Sequence, residues 1–187
     1  MSARHVILAT DFGDGQHFCA TWAAWRADAD AQAAGRALHY LAIAPQAPAA
    51  SRLASSELAP AALAQLRAMW PPLVPGVHRL LLDDGRVTLD LMIGALDDVL
   101  PQLDARVDHF HLPVAASARA LAKLAVQGAT LLARAPDEAQ VWALTRAGFV
   151  CAAPAGSDDI RAVYASRQPP PAAPPPPQRR AVVIGAG

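Results

Sequence analysis

The fold of this chain is decided near its beginning by the stretch His5-Val6-Ile7-Leu8-Ala9-Thr10-Asp11-Phe12-Gly13-Asp14-Gly15. Its first six residues are a short apolar run, which predicts a buried strand, and the polar, glycine-containing residues after them predict a turn. A helical pattern follows from Gln16 to Ala33, with Phe18, Trp22 and Trp25 at three- and four-residue steps. A strand, a turn and a helix in this order are typical of an α/β unit.

The same alternation of strands and helices continues along the chain. Further strands are predicted at Leu38–Ile43, Val77–Leu82, Arg86–Ile93, Val107–Leu112, Thr130–Ala133, Phe149–Ala152 and Ile160–Ala165. Further helices are predicted at Ser55–Met69 with an interruption at Pro60, Leu96–Leu103, Ala116–Val126 and Asp137–Arg146. Asp83-Asp84-Gly85 between two apolar runs predicts a hairpin. Together these elements predict an α/β sheet with right-handed crossovers.

The composition favours one globular domain of ordinary size. Apolar residues make up 53% of the 187 residues and charged residues 17%, which allows a sizeable core and argues against global disorder. Sixteen basic residues balance sixteen acidic ones, so charge alone gives no reason to expect nucleic-acid binding.

Cysteine usage and hydropathy bear on the compartment. Cys19 and Cys151 are too few for a disulfide framework, which predicts a reduced, cytoplasmic setting. No stretch reaches the roughly 18 uninterrupted apolar residues of a membrane span. The apolar run before Asp11 is too short for a secretion signal. We therefore expect a cytoplasmic protein with no membrane partner.

The last twenty residues have a different composition. Seven of the nine residues from Pro169 to Pro177 are proline, which is typical of an extended polyproline spacer. Ala181-Val182-Val183-Ile184-Gly185-Ala186-Gly187 is a β-branched run followed by Gly-x-Gly, the way in which a dinucleotide-binding βαβ unit begins. An unrelated apolar tail is the alternative. We expect one domain, a linker and the first strand of a second domain.

Several histidines and tryptophans have an ordinary structural explanation. His109 and His111 alternate on one strand face, but two ligands without a third do not make a metal site, so we predict no bound metal. His17 is predicted to be a surface residue at a helix start. Trp22 and Trp25 are predicted to pack in the core.

One long segment carries a resemblance to a known family. Trp70-Pro71-Pro72-Leu73-Val74-Pro75-Gly76-Val77-His78-Arg79 and the hairpin that continues to Leu91 resemble a Trp-Pro…Pro-Gly-x-His-Arg insertion. This insertion belongs to the bifunctional enzymes that complete the 5-methylaminomethyl group on the wobble 2-thiouridine of certain transfer RNAs (MnmC). Similar segments are Phe12–Phe18, Leu38–Tyr40, Ala147–Phe149 and Arg179–Gly187. The family joins a methyltransferase to an FAD-dependent oxidoreductase.

The resemblance implies a domain plan and partners. It implies a Rossmann-like, S-adenosylmethionine-dependent methyltransferase sheet with helices on both faces over residues 1–168. A proline-rich linker over 169–178 and the truncated start of an FAD-binding domain over 179–187 follow. The implied cofactor contacts are Phe12, Gly13 and Gly15 for S-adenosylmethionine, and Gly185 and Gly187 for FAD. The implied partners are tRNA and the chain's own C-terminal oxidoreductase domain.

The chain departs from the family pattern in the loops that would bind S-adenosylmethionine. The acid that begins the family's cofactor loop is Ala9 here, and the first glycine of that loop is Asp11. The family's ribose-binding acid corresponds to Ala44, and its Asp near the adenine corresponds to Ala95. Alanine cannot accept the hydrogen bonds that a carboxylate accepts, so these changes predict weakened cofactor binding.

Two further departures concern the reaction and the RNA. The family's Asp beside the methyl-accepting amine corresponds to Pro113, which can neither accept a proton nor orient an amine. We therefore assign no catalytic residue. The family's basic Gly-x-Arg-Lys-Arg stretch corresponds to Gly156-Ser157-Asp158-Asp159-Ile160, where two acids replace an expected phosphate contact.

Three hypotheses for function follow. The domain is a methyltransferase with residual activity, or a scaffold without methyl-transfer chemistry that supports the FAD oxidoreductase, or a binding module for another adenosyl ligand. The substitutions fall in the functional loops, whereas the segments that predict strands and helices survive. We therefore favour the scaffold, with the active methyltransferase as the alternative.

Overall fold

The computed structural model describes residues 4–53, 55–154 and 156–166. The predicted linker over 169–178 and the predicted FAD-binding segment over 179–187, with Gly185 and Gly187, lie outside the described residues. The domain boundaries therefore stay predictions.

The described residues form one mixed sheet. Its strands are β1 (Arg4–Ala9), β2 (Ala37–Ala44), β3 (Gly76–Leu82), β4 (Val87–Ile93), β5 (Val107–Leu112), β6 (Ala125–Ala133), β7 (Phe149–Ala152) and β8 (Ile160–Tyr164). Their order across the sheet is β3-β4-β2-β1-β5-β6-β8-β7. The pairs among β4, β2, β1, β5 and β6 are parallel, whereas β3 runs antiparallel to β4 and β8 runs antiparallel to both β6 and β7. The predicted α/β fold is confirmed.

Helices cover both faces of this sheet, as predicted. They are α1 (Gln16–Ala27), α2 (Ala29–Ala33), α3 (Pro60–Ala68), α4 (Leu96–Val99), α5 (Ala118–Leu124) and α6 (Glu138–Arg146). Residues of α1, α2 and α3 belong to the core on one face, and residues of α4, α5 and α6 belong to the core on the other. Within the described residues, no helix is long and apolar enough to cross a membrane.

Strand alternation divides the core between the two faces. In β1, Ile7 and Ala9 pack with α1, whereas Leu8 packs with the opposite cluster. Trp22 and Trp25 of α1 are 0% and 8% exposed, so both lie in the core as predicted. Burying side chains of this size is worth roughly 1.5–3 kcal/mol or more each relative to leaving them exposed.

The predicted hairpin is present and has an unusual turn. Leu82 of β3 pairs with Val87 of β4, and Asp83, Asp84 and Gly85 between them all have positive φ (47°, 55° and 81°). Positive φ strains residues with a Cβ, so the turn needs support from its surroundings. Trp22 supplies it, because its indole N–H donates a 2.7 Å hydrogen bond to Asp83 Oδ2.

A buried acid ties this hairpin to the rest of the sheet. Asp90 of β4 is 4% exposed and accepts two 2.6 Å hydrogen bonds from Arg79 of β3. His39 of β2 lies 2.7 Å from the same carboxylate. Burial acts to raise the pKa of Asp90, but the hydrogen bonds from Arg79 and His39 hold it at about 2. The carboxylate therefore stays charged and links three neighbouring strands.

The predicted helix over residues 16–33 is wrong in one respect, because it is two helices. Asp28 between them has an extended backbone (φ −77°, ψ 94°), and its carboxylate accepts the backbone N–H of Ala31. An aspartate that caps a new helix competes with continuation of the old one. The chain therefore turns at this residue.

Two other predicted helices have different bounds. The helix predicted from Ser55 begins at Pro60, a residue type that favours the first helical position because it lacks an N–H. The helix predicted to Val126 ends at Leu124, because Ala125 is extended and pairs with Val107 of β5. Strand β6 therefore begins five residues earlier than predicted.

Candidate functional site

The candidate site lies where the carboxyl ends of the parallel strands meet. Strand β1 has β2 on one side and β5 on the other, so successive connections leave it in opposite directions. Open α/β sheets bind ligands in the crevice at such a topological switch point. The predicted cofactor loop begins directly after β1, at this crevice.

The two glycines of this loop adopt left-handed backbone conformations. Gly13 has φ 59°, and Gly15, which precedes α1, has φ 85°. A Cβ at Gly15 would lie 3.0 Å from the Phe12 ring, whereas a Cβ at Gly13 would meet no atom within 4 Å. Gly15 is therefore required by both conformation and packing, and Gly13 by conformation alone.

Phe12 is part of the core beneath the loop. Its side chain is 5% exposed, and its ring centroid lies 5.5 Å from that of Trp70 and 6.3 Å from that of Phe18. Its backbone N–H donates a 2.8 Å hydrogen bond to the carbonyl of Ile43 at the end of β2. Phe12, a predicted cofactor residue, thus anchors the loop to the sheet through its buried ring and its backbone hydrogen bond.

The acids of the loop are bound to the loop's own backbone. Asp11 Oδ1 accepts the N–H of Gly13 at 3.1 Å, and Asp14 Oδ1 accepts the N–H of Gln16 at 3.0 Å. Such short-range bonds stabilise the turn.

A buried threonine joins the two sides of the crevice. The backbone N–H of Thr10 donates to the carbonyl of His111 at 3.1 Å, and its hydroxyl donates to the carbonyl of Val114 at 2.9 Å. Thr10 is fully buried. Since Pro113 lies between these two acceptors, the loop after β1 and the loop after β5 are directly connected.

Two histidines form a second connection across the crevice. The rings of His17 in α1 and His111 in β5 are stacked, with centroids 3.6 Å apart and an interplanar angle of 3°. His17 Nδ1 also lies 2.6 Å from the Tyr40 hydroxyl. His17 therefore lies at a helix start as predicted, but it is half-buried and has two partners. These partners lie on β5 and β2, which flank β1, and only the folded sheet brings them together.

The predicted alternation of His109 and His111 on one face is confirmed. His109 Nδ1 lies 2.7 Å from Thr130 Oγ1 on β6, whereas His111 is 5% exposed and its Nδ1 has no hydrogen-bond partner among the described residues. Within those residues, no group of three or more His, Cys, Asp or Glu side chains is placed to hold a metal ion.

The environment keeps these imidazoles neutral. Burial lowers the pKa of His17 to about 4, with smaller effects from His111, His109 and Arg134. Burial also lowers the pKa of His109 to about 4 and, together with Arg134, lowers the pKa of His111. Two neutral rings can stack without charge repulsion, so the stack is stable at neutral pH.

These pKa values predict a loss of stability in mild acid. The folded-state pKa of His17, about 4, lies below the ordinary value of 6.5, so the unfolded chain takes up the proton first as the pH falls. Stability should be complete above pH 6.5 and decrease towards pH 4. One pKa unit corresponds to about 1.4 kcal/mol, and partial exposure reduces the total, so we expect a loss of about 2 kcal/mol.

Urea unfolding at pH 7.5 and pH 5 measures this loss. The matched variant His17→Phe keeps a flat ring against His111 and cannot titrate, so its unfolding free energy should change less between the two pH values. An equal change in both proteins would contradict the assignment to His17.

The positions at which the resemblance places ligand-binding acids also lie at this edge. Ala44 ends β2 and is fully buried, and its carbonyl accepts the N–H of Gly94 at 3.3 Å. Ala95 precedes the first turn of α4 without a side-chain hydrogen bond. Neither methyl group can accept a ribose or adenine hydrogen bond.

The cavity next to Pro113 is small. It occupies about 260 Å³ between the ends of β5 and β6, and its lining includes Arg134 and Asp137. Small-molecule sites usually enclose roughly 300–1,000 Å³. The cavity next to Pro113 is therefore smaller than this range, whereas a cavity of about 390 Å³ lined by Gln16, Ser55, Ser56 and Glu57 falls within it.

The structure thus brings the loop after β1, Ala44, Ala95 and Pro113 to one edge of the sheet. Sequence reasoning missed Thr10, His17, His111 and Tyr40 as a connected group. Thr10 and Val114 are 104 residues apart, and only the parallel pairing of β1 with β5 brings them together. No local pattern signals such a contact.

Curated proteins similar to this chain share one name. A protein of Burkholderia ambifaria (strain MC40-6), "tRNA 5-methylaminomethyl-2-thiouridine biosynthesis bifunctional protein MnmC", is 40% identical over 77% of this chain and 24% of its own length. Proteins of the same name from Thiobacillus denitrificans and Burkholderia multivorans are 39% and 37% identical over 78% and 97% of this chain. These alignments cover 26% and 32% of the relatives. No protein-family model matches.

A solved structure supports the fold. The crystal structure of MNMC2 from Aquifex aeolicus aligns with 87% of this chain and 53% of its own chain, with a TM-score of 0.59 and 10% sequence identity. At this identity the likeness concerns the fold alone. The chain spans about a quarter to a third of the length of the curated relatives, and by its similarity to them it belongs to the MnmC family.

Proposed function

We propose that this chain is the methyltransferase-like part of a tRNA wobble-uridine modification enzyme, and that this part is a scaffold which does not bind S-adenosylmethionine tightly. The observation that carries the proposal is the bridged crevice. Thr10 connects to Val114 by a hydrogen bond, and His17 stacks on His111, at the place where an open α/β sheet would hold its ligand.

The proposal extends to the rest of the enzyme. Residues 1–168 would form the scaffold, 169–178 a linker and 179–187 the first strand of an FAD-binding domain that contains Gly185 and Gly187. The partner of the scaffold would be this oxidoreductase, and the substrate of the assembled enzyme would be tRNA in the cytoplasm. The names of the relatives, which describe bifunctional tRNA modification proteins, support this plan.

One observation favours the alternative of an active methyltransferase. Gly13 and Gly15 keep the positive φ values of a tight loop after the first strand, and such a loop allows close approach of a ligand to the backbone. An active domain would transfer the methyl group of S-adenosylmethionine to 5-aminomethyl-2-thiouridine in tRNA. It would have to do so without a carboxylate at Pro113.

A methyl-transfer assay separates the two functions. The purified protein, in the longest natural form, is incubated with methyl-labelled S-adenosylmethionine and tRNA that carries 5-aminomethyl-2-thiouridine. We expect no more label in the RNA than in a control reaction without protein. The side chain of Pro113 cannot accept the proton that the amine must lose. Circular dichroism confirms that the sample is folded, and repeated turnover in a folded sample would overturn the scaffold proposal.

A further inference from the structure

A groove on the helical surface has no role in the site described above. It lies between α5 and α6, has a volume of about 620 Å³, and includes the small side chains Ala118, Ala122, Ala143 and Ala147. Larger side chains in its lining are Arg119 and Trp142. Small residues along the seam of two helices leave a shallow trough that can accept an extended chain.

Trp142 is the largest side chain in the lining of this groove, and it is exposed to solvent. It is 62% exposed, whereas Trp22 and Trp25 are buried. The guanidinium of Arg146 lies 4.7 Å from the ring centroid and so covers part of the ring. Exposed aromatic side chains in a groove are typical of contact surfaces, because they offer a large rigid area and a polar N–H.

The chain leaves the described fold at one end of this groove. The N–H of Ala165 donates to the carbonyl of Gly148 at 2.9 Å, and Ser166 lies 3.2 Å from the position of a Cβ at Gly148. Gly148 directly follows Arg146 and Ala147, which line the groove. Ser166, the last described residue, therefore lies near the end of the groove that Arg146 and Ala147 line.

The following segment is long enough to cross the groove. Pro169–Pro177 contains seven prolines, and an extended polyproline chain rises about 3.1 Å per residue, or roughly 28 Å for nine residues. Helix α6 has nine residues and so measures about 14 Å. Trp142, one turn before Arg146, is within the first part of this reach.

The chemistry of the segment also matches the groove. A polyproline chain leaves its carbonyl groups unpaired and presents apolar rings, and aromatic-lined grooves bind such chains. The Trp142 indole N–H and the Arg119 guanidinium are hydrogen-bond donors for the carbonyls. The ring of Trp142 offers a flat surface for proline.

We propose that Pro169–Pro177 docks in the α5–α6 groove against Trp142 and so fixes the direction in which the chain continues beyond this domain. The segment is tethered at Ser166, and a short tether gives an effective concentration in the millimolar range, so weak contacts are sufficient. This docking does not depend on whether the domain binds a cofactor.

Indole N–H resonances of the full 187-residue chain test the proposal. The chain has four tryptophans, and the variant Trp142→Phe identifies the resonance of Trp142 by its loss. Replacement of Pro170, Pro171, Pro175 and Pro176 by serine should then shift the Trp142 resonance and leave that of the buried Trp22 in place. A Trp142 resonance that does not move would overturn the proposal, and a shift caused only by added tRNA would reassign the groove to nucleic acid.

Limited proteolysis gives a second measurement. Trypsin cleavage after Arg167 should become roughly threefold faster or more in Trp142→Ala, because cleavage follows the fraction of undocked chain. Val150→Ala, which alters another exposed apolar residue, is the matched control and should leave the rate unchanged. Equal rates in both variants and the unaltered chain would contradict docking against Trp142.

Discussion

Calorimetric titration of S-adenosylmethionine into this protein should give no measurable heat of binding at ligand concentrations that saturate a micromolar site. By the family resemblance, Ala44 and Ala95 stand where the ribose and the adenine would meet carboxylates, and Thr10 hydrogen-bonds to the loop after β5 beside them. Each lost charge-assisted hydrogen bond is worth about 1.5–3 kcal/mol, so two lost bonds weaken binding by roughly two to four decades. A site with a Kd of about 1 μM would become one of roughly 0.1–10 mM.

A variant with restored acids makes this result interpretable. Ala44→Asp combined with Ala95→Asp returns both carboxylates, and any heat that appears in this variant assigns the loss to them. Absence of heat in both proteins, with both shown to be folded, means that these two carboxylates alone do not restore binding. Micromolar binding to the unaltered protein would return the chain to the class of cofactor-binding methyltransferases.

Replacement of Trp22 by alanine should have the largest effect on stability. Trp22 is fully buried between α1 and the sheet, and its indole N–H holds Asp83 in the strained hairpin turn. Removal of a large buried aromatic side chain costs about 3–5 kcal/mol, and the turn loses its support in addition. For a domain of this size, such a loss is a large part of the total stability.

Urea unfolding with two further variants separates these contributions. Trp22→Phe keeps an aromatic ring but removes the donor to Asp83, and should cost about 1–3 kcal/mol beyond the change in volume. Val150→Thr alters an exposed residue of β7 and should stay within about 0.5 kcal/mol of the parent. A Trp22→Ala protein that unfolds like the Val150→Thr control would contradict the role assigned to Trp22.

Local sequence patterns predict most of the strands and helices. The hairpin at Asp83-Asp84-Gly85 and strand β5 at Val107–Leu112 agree with the structure because turn residues and apolar runs act over a few positions. The break at Asp28 was missed because an aspartate is also tolerated inside a helix, and only the cap to Ala31 shows that it ends one. The end of α5 and the start of β6 were predicted at the wrong residues, because the pairing of Ala125 with Val107 overrides the local helical preference.

The candidate site could be predicted only in outline. A family resemblance identifies Ala44, Ala95 and Pro113 as altered positions, and the strand order places them at one edge. The stack of His17 on His111 depends on the exact approach of α1 to β5, which no spacing in the sequence encodes. The residues that fill the crevice therefore became visible only in the folded chain.

The hydrogen bond from Thr10 to Val114 has a consequence for how this protein responds to metabolism. A protein that binds a ligand only when folded gains stability with ligand concentration, so its abundance follows that of the metabolite. Here both polar groups of Thr10 that could face a ligand at the switch point are hydrogen-bonded within the chain. The proposed scaffold should therefore keep the same melting temperature at every concentration of S-adenosylmethionine.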